Sequence, residues 1–276
     1  MATTSTTLDD LFVNIVAQAR FTAEEQSLMM GLVTKYNIAG QAGKTIQVPK
    51  YPAVTAADLT EGTAPSDTDV STSSVAVTVA EVGNSVLLTD LAAMGAGNPA
   101  DELGTVLGNA IATKIDKDLI ELFDGFSTSI GGATTEFTAE HIFKAVATLR
   151  NRGVTGSLAC VVNPLAAYNM KANLTNTFAN PNGGDVQNAA MRNGYVGSIA
   201  GVDVYESSNV AIASDASKGA VFAPEALAIA IKSEFNLETQ RNATRRGTEL
   251  VATAIYGVAE LDDDYGVELH VESSLA

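Results

Sequence analysis

The sequence contains no tryptophan, two histidines and a single cysteine in 276 residues. One cysteine excludes an intrachain disulfide framework. Cys160 lies in the apolar run Leu158-Ala159-Cys160-Val161-Val162 and reads as a small buried core residue, not a reactive thiol. His141 and His270 are far apart in sequence, sit among ordinary helix and strand residues, and have no supporting acid-base pattern, so neither names a catalytic or metal site. Basic side chains are scarce, with 16 Lys and Arg against 32 Asp and Glu and a formal net charge of −16. That balance excludes a protein that grips nucleic acid, because phosphate binding needs clustered Lys and Arg. It leaves open a wall that encloses a packed polyanion without sticking to it. No uninterrupted apolar run reaches about 18 residues, so no membrane span is expected. Met1 to Asp10 is Thr-rich and acidic and lacks the basic and apolar regions of a signal peptide. Folding in a reducing cytoplasm is the expectation. No repeat and no Pro-rich linker marks a clean domain boundary.

What is present is 46% apolar residues, 23 glycines and recurrent Ala, Val and Thr. The length supports a sizeable core, and small and β-branched residues suit a mixed α+β fold with much sheet. Leu8 to Ala19 has the spacing of an amphipathic helix, and Thr22-Ala-Glu-Glu25 fits a capping box that opens a second helix to about Thr34. Gly40 to Gly43 breaks the pattern. Lys44 to Tyr51 reads as a strand. Ala53 to Ser74 is rich in Thr, Ser, Asp and Ala and has neither helical nor strand periodicity. Ser74 to Ala80 alternates, with Val75, Val77 and Val79 on one side. Gly83-Asn84 signals a turn, and Val86 to Thr89 continues as strand. Lys44 to Thr89 is therefore read as two extended limbs joined by a polar tip. A connection of that length is uncommon inside a compact domain, so it is expected to project. Its charged residues Lys50, Asp58, Glu61, Asp67 and Asp69 are the candidate contacts to a neighbouring subunit.

Asn98-Pro99 is a strong helix start, and apolar spacing from Leu103 to about Phe123 predicts one helix of roughly 37 Å at about 1.5 Å per residue. Gly125 ends it, and Gly125 to Glu136 reads as a loop. Thr138 caps a helix that buries Ile142, Ala145, Val146 and Leu149. Ser157 to Val162 is a buried strand, Asn163-Pro164 opens a helix to about Leu174, and Thr175 to Gly194 reads as a loop. Strands follow at Gly201 to Tyr205, Ala220 to Ala223, Ala228 to Lys232 and Phe235 to Asn242. Thr248 to Val258, apolar on both faces, reads as a central strand. Asp262 to Tyr265 turns the chain, and Gly266 to Val271 closes it.

The motif matches are weak. Gly40-Gln-Ala-Gly43-Lys44-Thr45 fails the phosphate-loop spacing, because Ile38 stands where the first glycine belongs. Gly95-Ala-Gly97-Asn-Pro-Ala100 fits the dinucleotide pattern, but no second parallel strand ending in an acid is expected after the helix. Gly125-Phe-Ser-Thr-Ser129 misses the nucleophile elbow at its last glycine. Asp262-Asp263-Asp264-Tyr-Gly266 lacks the twelve-residue calcium loop and its final bidentate Glu, and reads as a solvated hairpin turn. The glycosylation sequons at Asn173 and Asn242 come with no secretory signal. No cofactor, metal or catalytic residue is named, and the chain is not expected to be an enzyme. Arg241, Arg245 and Arg246 form the densest basic group. A solvated turn between two strands and pairing with carboxylates of a neighbouring subunit both account for it.

The order of elements resembles the Hong Kong 97-type capsid fold of tailed phages across nearly the whole chain. Residues 1–43 correspond to an N-terminal arm, 44–90 to an extended loop, 91–156 to a peripheral domain with its spine helix, 157–232 to an axial domain, and 233–276 to return strands of the peripheral domain. The phrase Gly257-Val-Ala-Glu-Leu, followed by a turn and a last strand, is similar to the family's C-terminus. The resemblance implies a major capsid protein, a self-assembling subunit of an icosahedral virus head that encloses double-stranded DNA. It implies pentamers and hexamers, three-fold contacts near Arg241 to Gly247, a portal and a decoration protein as partners, and residence in the virion after assembly in the host bacterial cytoplasm. No fused scaffolding segment is visible before the arm, which implies a separate scaffolding protein or assembly without one. Some members crosslink a Lys to an Asn. Lys44 and Lys50 lie near the loop, but no partner or activating acid accompanies them and that chemistry is not carried over. An encapsulin-type nanocompartment shell of the same fold is the alternative, separable by particle size and contents. An enzyme would show turnover lost with His141 or His270, and a tail or adhesin protein would form trimers or fibres.

Overall fold

Among the described residues of this computed structural model, thirteen strands form three sheets, joined by four α-helices and short 3-10 turns. The structure describes residues 27–52, 54, 56, 58, 61, 62, 64, 69–95, 99–177 and 198–274, with backbone alone for 93–95, 99–102 and 173–177. The helix expected at Leu8 to Ala19, Asn98, and most of the loop expected at Thr175 to Gly194 lie outside them. In chain order the elements are β1 (Thr34–Asn37), β2 (Thr45–Lys50), β3 (Ser73–Thr78), β4 (Ala80–Thr89), α1 (Asp90–Gly95), α2 (Pro99–Glu121), β5 (Ser129–Glu136), α3 (Ala139–Asn151), β6 (Leu158–Val162), α4 (Pro164–Thr177), β7 (Ser198–Ile199), β8 (Val202–Glu206), β9 (Ile212–Ala213), β10 (Ala216–Phe222), β11 (Leu227–Asn242), β12 (Gly247–Glu260) and β13 (Gly266–Glu272).

The four-stranded sheet runs β1-β11-β12-β4. Alternation along β12 turns Leu250, Ala252, Ala254 and Tyr256 to one face, where α2 packs Leu107, Ile111, Ile115 and Leu119 against them. The small side chains of Ala252 and Ala254 leave room for the helix. One polar contact ties the same interface: the Tyr256 hydroxyl donates to Asp118 at 2.7 Å, and Asp118 is itself paired with Lys114 one turn earlier in α2. Burial, with Asp118 beside it, pushes the Tyr256 phenol well above its ordinary range.

The seven-stranded sheet runs β5-β13-β10-β6-β8-β7, with β9 beside β10. All five residues of β6 are buried because both faces are covered. Ala159 and Val161 face the core around α2 and Phe222, while Leu158, Cys160 and Val162 face Ile142 and Leu149 of α3 and Met170 of α4. Asn163 caps α4 as its sequence suggests, accepting from the Leu165 amide at 2.9 Å.

Several local expectations give way to tertiary pairing. The second helix does not reach Thr34: Met29–Gly31 is one 3-10 turn, and Thr34–Asn37 is an edge strand parallel to β11, where Val33 and Thr34 favour extended backbone. Gly83-Asn84 is no turn. β4 runs straight through it, and a Cβ on Gly83 would lie 2.8 Å from the Ala252 carbonyl oxygen, so the glycine serves the approach to β12. The strands expected at Ala228 to Lys232 and Phe235 to Asn242 are one strand with register shifts between Ile231 and Asn236. β12 is central as expected, but its burial alternates, and Val251 and Ile255 are only half-buried. Gly125 to Glu136 is not all loop, because β5 pairs parallel with β13. β13 pairs with β10 in the seven-stranded sheet, whereas β11 and β12 belong to the four-stranded one. β4 and β5 fall in different sheets, so the Gly95 pattern has no β-α-β unit around it.

Candidate assembly surfaces

β2 and β3 form a separate antiparallel ribbon with Val48 opposite Val75 and Ile46 opposite Val77. Its root is fastened to the body. Val77 and Val79 are buried with Ile38 and Ala230 on the face of the four-stranded sheet away from α2. The chain crosses β12 at Gly257, where a Cβ would sit 2.2 Å from the Thr78 carbonyl oxygen and 3.0 Å from Val79 Cα. At the far end Lys50 Nζ pairs with Asp262 at 2.5 Å, a hydrogen bond that raises the lysine's pKa. Past Lys50 that support stops. Every described residue from Tyr51 to Thr72 is exposed, Asp58, Glu61 and Asp69 among them, and Tyr51 is 69% and Val54 54% accessible. Asp67 lies outside the described residues.

The basic group sits at the β11-β12 hairpin tip. Asn242 Oδ1 accepts from Thr244 Oγ1 (2.7 Å) and the Arg245 amide (3.2 Å), and Arg246 takes a left-handed backbone, φ 48°, to close the turn. The three arginines separate here. Arg241 reaches back within the chain to grip Asp90 of α1 with two bonds of 2.7 and 2.8 Å, which holds the Asp90 carboxyl below its ordinary range. Arg245 and Arg246 are exposed at the tip. The hairpin tip and the Lys50–Asp262 pair lie at opposite ends of β12. Gly247 begins β12 at the hairpin, and Asp262, which holds Lys50, follows its other end at Glu260. At about 3.3 Å per residue that strand alone spans roughly 40 Å.

The Asp262–Asp264 turn is not merely solvated; it is a junction. Asp262 holds Lys50 of the ribbon. Asp263 accepts from the Ser127 amide at 2.7 Å and from its hydroxyl. Asp264 lies 3.9 Å from Arg152, whose guanidinium also donates to the carbonyl oxygens of Asp263 and Gly266. Burial opposes ionisation of Asp263, yet the Ser127 bonds, with Arg152 and Lys50, bring its carboxyl below the usual range. Neighbouring Glu260 is pushed up by burial and by Asp263 and Asp262. Among the described residues no three His, Cys, Asp or Glu side chains converge in a way that could hold a metal ion.

His141 has a structural role. It stands third in α3, where its Nδ1 accepts from the Thr138 amide at 3.3 Å and lies 2.9 Å from Thr138 Oγ1, taking the part Glu or Gln plays in a capping box. Burial lowers its pKa. His270 lies within β13, and Cys160 is fully buried with its thiol pushed far up by burial. Sequence reasoning missed Asp116, the Tyr256–Asp118 tie and the crossing at Gly257. Asp116 did leave a signal: it stands four residues after Ala112 and three before Leu119, a carboxylate on the apolar face of α2.

The phage capsid protein family model matches residues 69–268. No curated protein matches the sequence. Among solved structures, the capsid of Cyanophage P-SCSP1u superposes with a TM-score of 0.71 at 18% identity, over 90% of this chain and 89% of that one. The head of Helicobacter pylori bacteriophage KHP40 gives 0.67 at 11% identity, over 87% of each chain. A virus-like particle from Pyrococcus furiosus gives 0.63 at 10% identity, over 94% of this chain and 98% of that one. The fold is of the Hong Kong 97 type, which defines a shell-forming structural protein. The chain belongs to the phage capsid protein family. It is a major capsid protein of a phage head, and its place is the virion.

Proposed function

We propose that subunits join head to tail through the acidic tip of one copy and the arginine tip of the next. The carrying observation is that Arg245 and Arg246 are exposed at the hairpin end of β12, while the Lys50–Asp262 pair, beyond which Asp58, Glu61 and Asp69 are exposed, sits past its other end. A chain of net charge −16 repels its copies, and this hairpin is its densest basic group. The length of β12 keeps the hairpin and that pair apart within one molecule. A second copy brings the two tips together in a heterologous contact, which closes into rings. Lys50 and Arg241, held within the chain by Asp262 and Asp90, keep the two tips pointed outward.

In this reading residues 1–43 act as an arm, 44–90 as the extended loop, and 157–232 as the axial domain of pentamers and hexamers, its sheet completed by β5 and β13. The head encloses double-stranded DNA behind an acidic wall, is assembled in the host bacterial cytoplasm with or without a scaffolding protein, and carries a portal. The family match favours this over a nanocompartment shell.

The test is charge reversal in the full chain. Arg245→Glu with Arg246→Glu is expected to stop closure under conditions where wild type forms particles. Adding Asp58→Lys, Glu61→Lys and Asp69→Lys to the same chain is expected to restore it. Normal particles from the arginine variant, or a folded combined variant that stays monomeric, would overturn the contact. Particles that contain protein cargo and no nucleic acid would overturn the DNA-enclosing role.

A further inference from the structure

His141 fills a place in the capping box of α3 where Glu or Gln is usual, and neither of those changes charge near neutral pH. Histidine does. The bond it makes fixes its protonation state. Nδ1 accepts from the Thr138 amide at 3.3 Å, so it carries no proton and the ring proton sits on Nε2. The side chain is buried, with the Phe137 ring 6.2 Å away. It also touches the neighbouring strand. A Cβ on Gly131 of β5 would lie 3.5 Å from His141 Cδ2 and 2.3 Å from the His270 carbonyl oxygen, so the imidazole rests where β5 meets β13. Among the described residues β5 is the edge of the seven-stranded sheet. Only Phe137 and Thr138 separate its last residue from α3, so one cap joins the end of an edge strand to the start of a helix.

We infer that His141 is an acid-sensitive switch at the β5–α3 corner: unprotonated Nδ1 holds the cap closed, and a proton on it opens the first turn of α3 and loosens the edge strand. A proton turns Nδ1 from an acceptor into a donor. Thr138 Oγ1, 2.9 Å away, can accept from it, but the Thr138 amide is then left without an acceptor. The new charge also has no counter-charge beneath it. Ile130 of β5, Ile199 of β7, Val221 of β10 and Val267, Leu269 and Val271 of β13 share the apolar cluster with α3, and none of them titrates. Glu268 and His270 alternate to the other face of β13. On α3 itself Lys144 disfavours the proton and Glu140 favours it, and these two are paired with each other at 2.8 Å. Burial is the largest influence and lowers the pKa. The folded chain therefore binds this proton more weakly than the unfolded chain does. The cap's contribution is whole above the ordinary histidine value of about 6.5 and is lost as the pH falls below it. The switch is internal to one chain and independent of any contact between copies.

His141→Gln isolates the effect, because Gln offers an acceptor that does not titrate. In the full-length soluble subunit, protection of the Thr138 amide against exchange is expected to fall about tenfold in wild type between about pH 7.5 and about pH 5. It is expected to stay level in His141→Gln and to fall as in wild type in His270→Gln. The thermal midpoint of His141→Gln is expected to match wild type at the upper pH and to exceed it at the lower one. Carboxylates that titrate in this range are common to wild type and the Gln variant, so the difference between the two belongs to His141. Constant protection in wild type would overturn the switch, as would an equal fall in His141→Gln or a fall that disappears in His270→Gln. If His141→Gln does not fold, the NMR titration of the His141 ring in wild type takes its place. Loss of Thr138 protection is expected to share its midpoint, and a separation of more than about one pH unit overturns the inference.

Discussion

Replacing residues 51–72 by an Asn-Gly turn between the paired residues Lys50 and Ser73 is expected to give a soluble, folded monomer that forms no particles. The two strands that remain carry their own turn signal. The ribbon root keeps Ile46, Val48, Val77 and Val79 on the body. Every described residue removed is exposed in the single chain. The thermal midpoint is therefore expected to stay within a few degrees of wild type, since exposed residues contribute little to stability. Assembly is different. A two-stranded arm is marginal alone and gains order by packing on a neighbour, and several weak contacts per subunit act together through avidity. Their loss is all or none. Electron microscopy and gel filtration check this: normal particles from the shortened chain would remove the tip from any role in closure.

The largest effect on stability is expected at Gly257. A Cβ at that position would lie 2.2 Å from a carbonyl oxygen that belongs to the backbone and cannot rotate away. Gly257→Val therefore has to lift the ribbon crossing off β12 and with it Val77 and Val79, both buried there. Overpacking of this kind costs about 3 kcal/mol. For a chain of this size that is a fall of roughly 10 °C in the thermal midpoint. The ribbon's aim changes too, so particle yield is expected to fall further than stability does. Gly156→Val is the comparison, since nothing lies within 4 Å of a Cβ there. Calorimetry on both, with a drop at Gly257 no larger than at Gly156, would show that the crossing is loose.

The legible parts of the fold are those whose reasons are local. α3 and α4 start where Thr138 and Asn163 cap them, and β6 is plain from five consecutive apolar residues, all of them buried. The ribbon was legible as alternation on both sides of a polar stretch. Misreadings came where a residue answers to a distant neighbour. Gly83 looked like a turn because a glycine beside an asparagine is a turn in most local contexts. Here it admits β12, which is more than 160 positions away. Asp262–Asp264 looked solvated because three adjacent acids repel; Lys50, Ser127 and Arg152, supplied from three other places, remove the repulsion.

The sequence alone determined the α+β class, the long spine helix and a stretch too polar to bury itself, because periodicity and composition act through residues close in the chain. Only the tertiary structure decided that Arg241 is gripped by Asp90 while Arg245 and Arg246 stay exposed, and that Asp116 accepts a bond from Ser27. It also set the arginine hairpin and the Lys50–Asp262 pair at opposite ends of one strand. Those outcomes depend on which strands pair and in what register, and pairing is set by the summed burial of both sheets around α2, a quantity no single window of sequence contains.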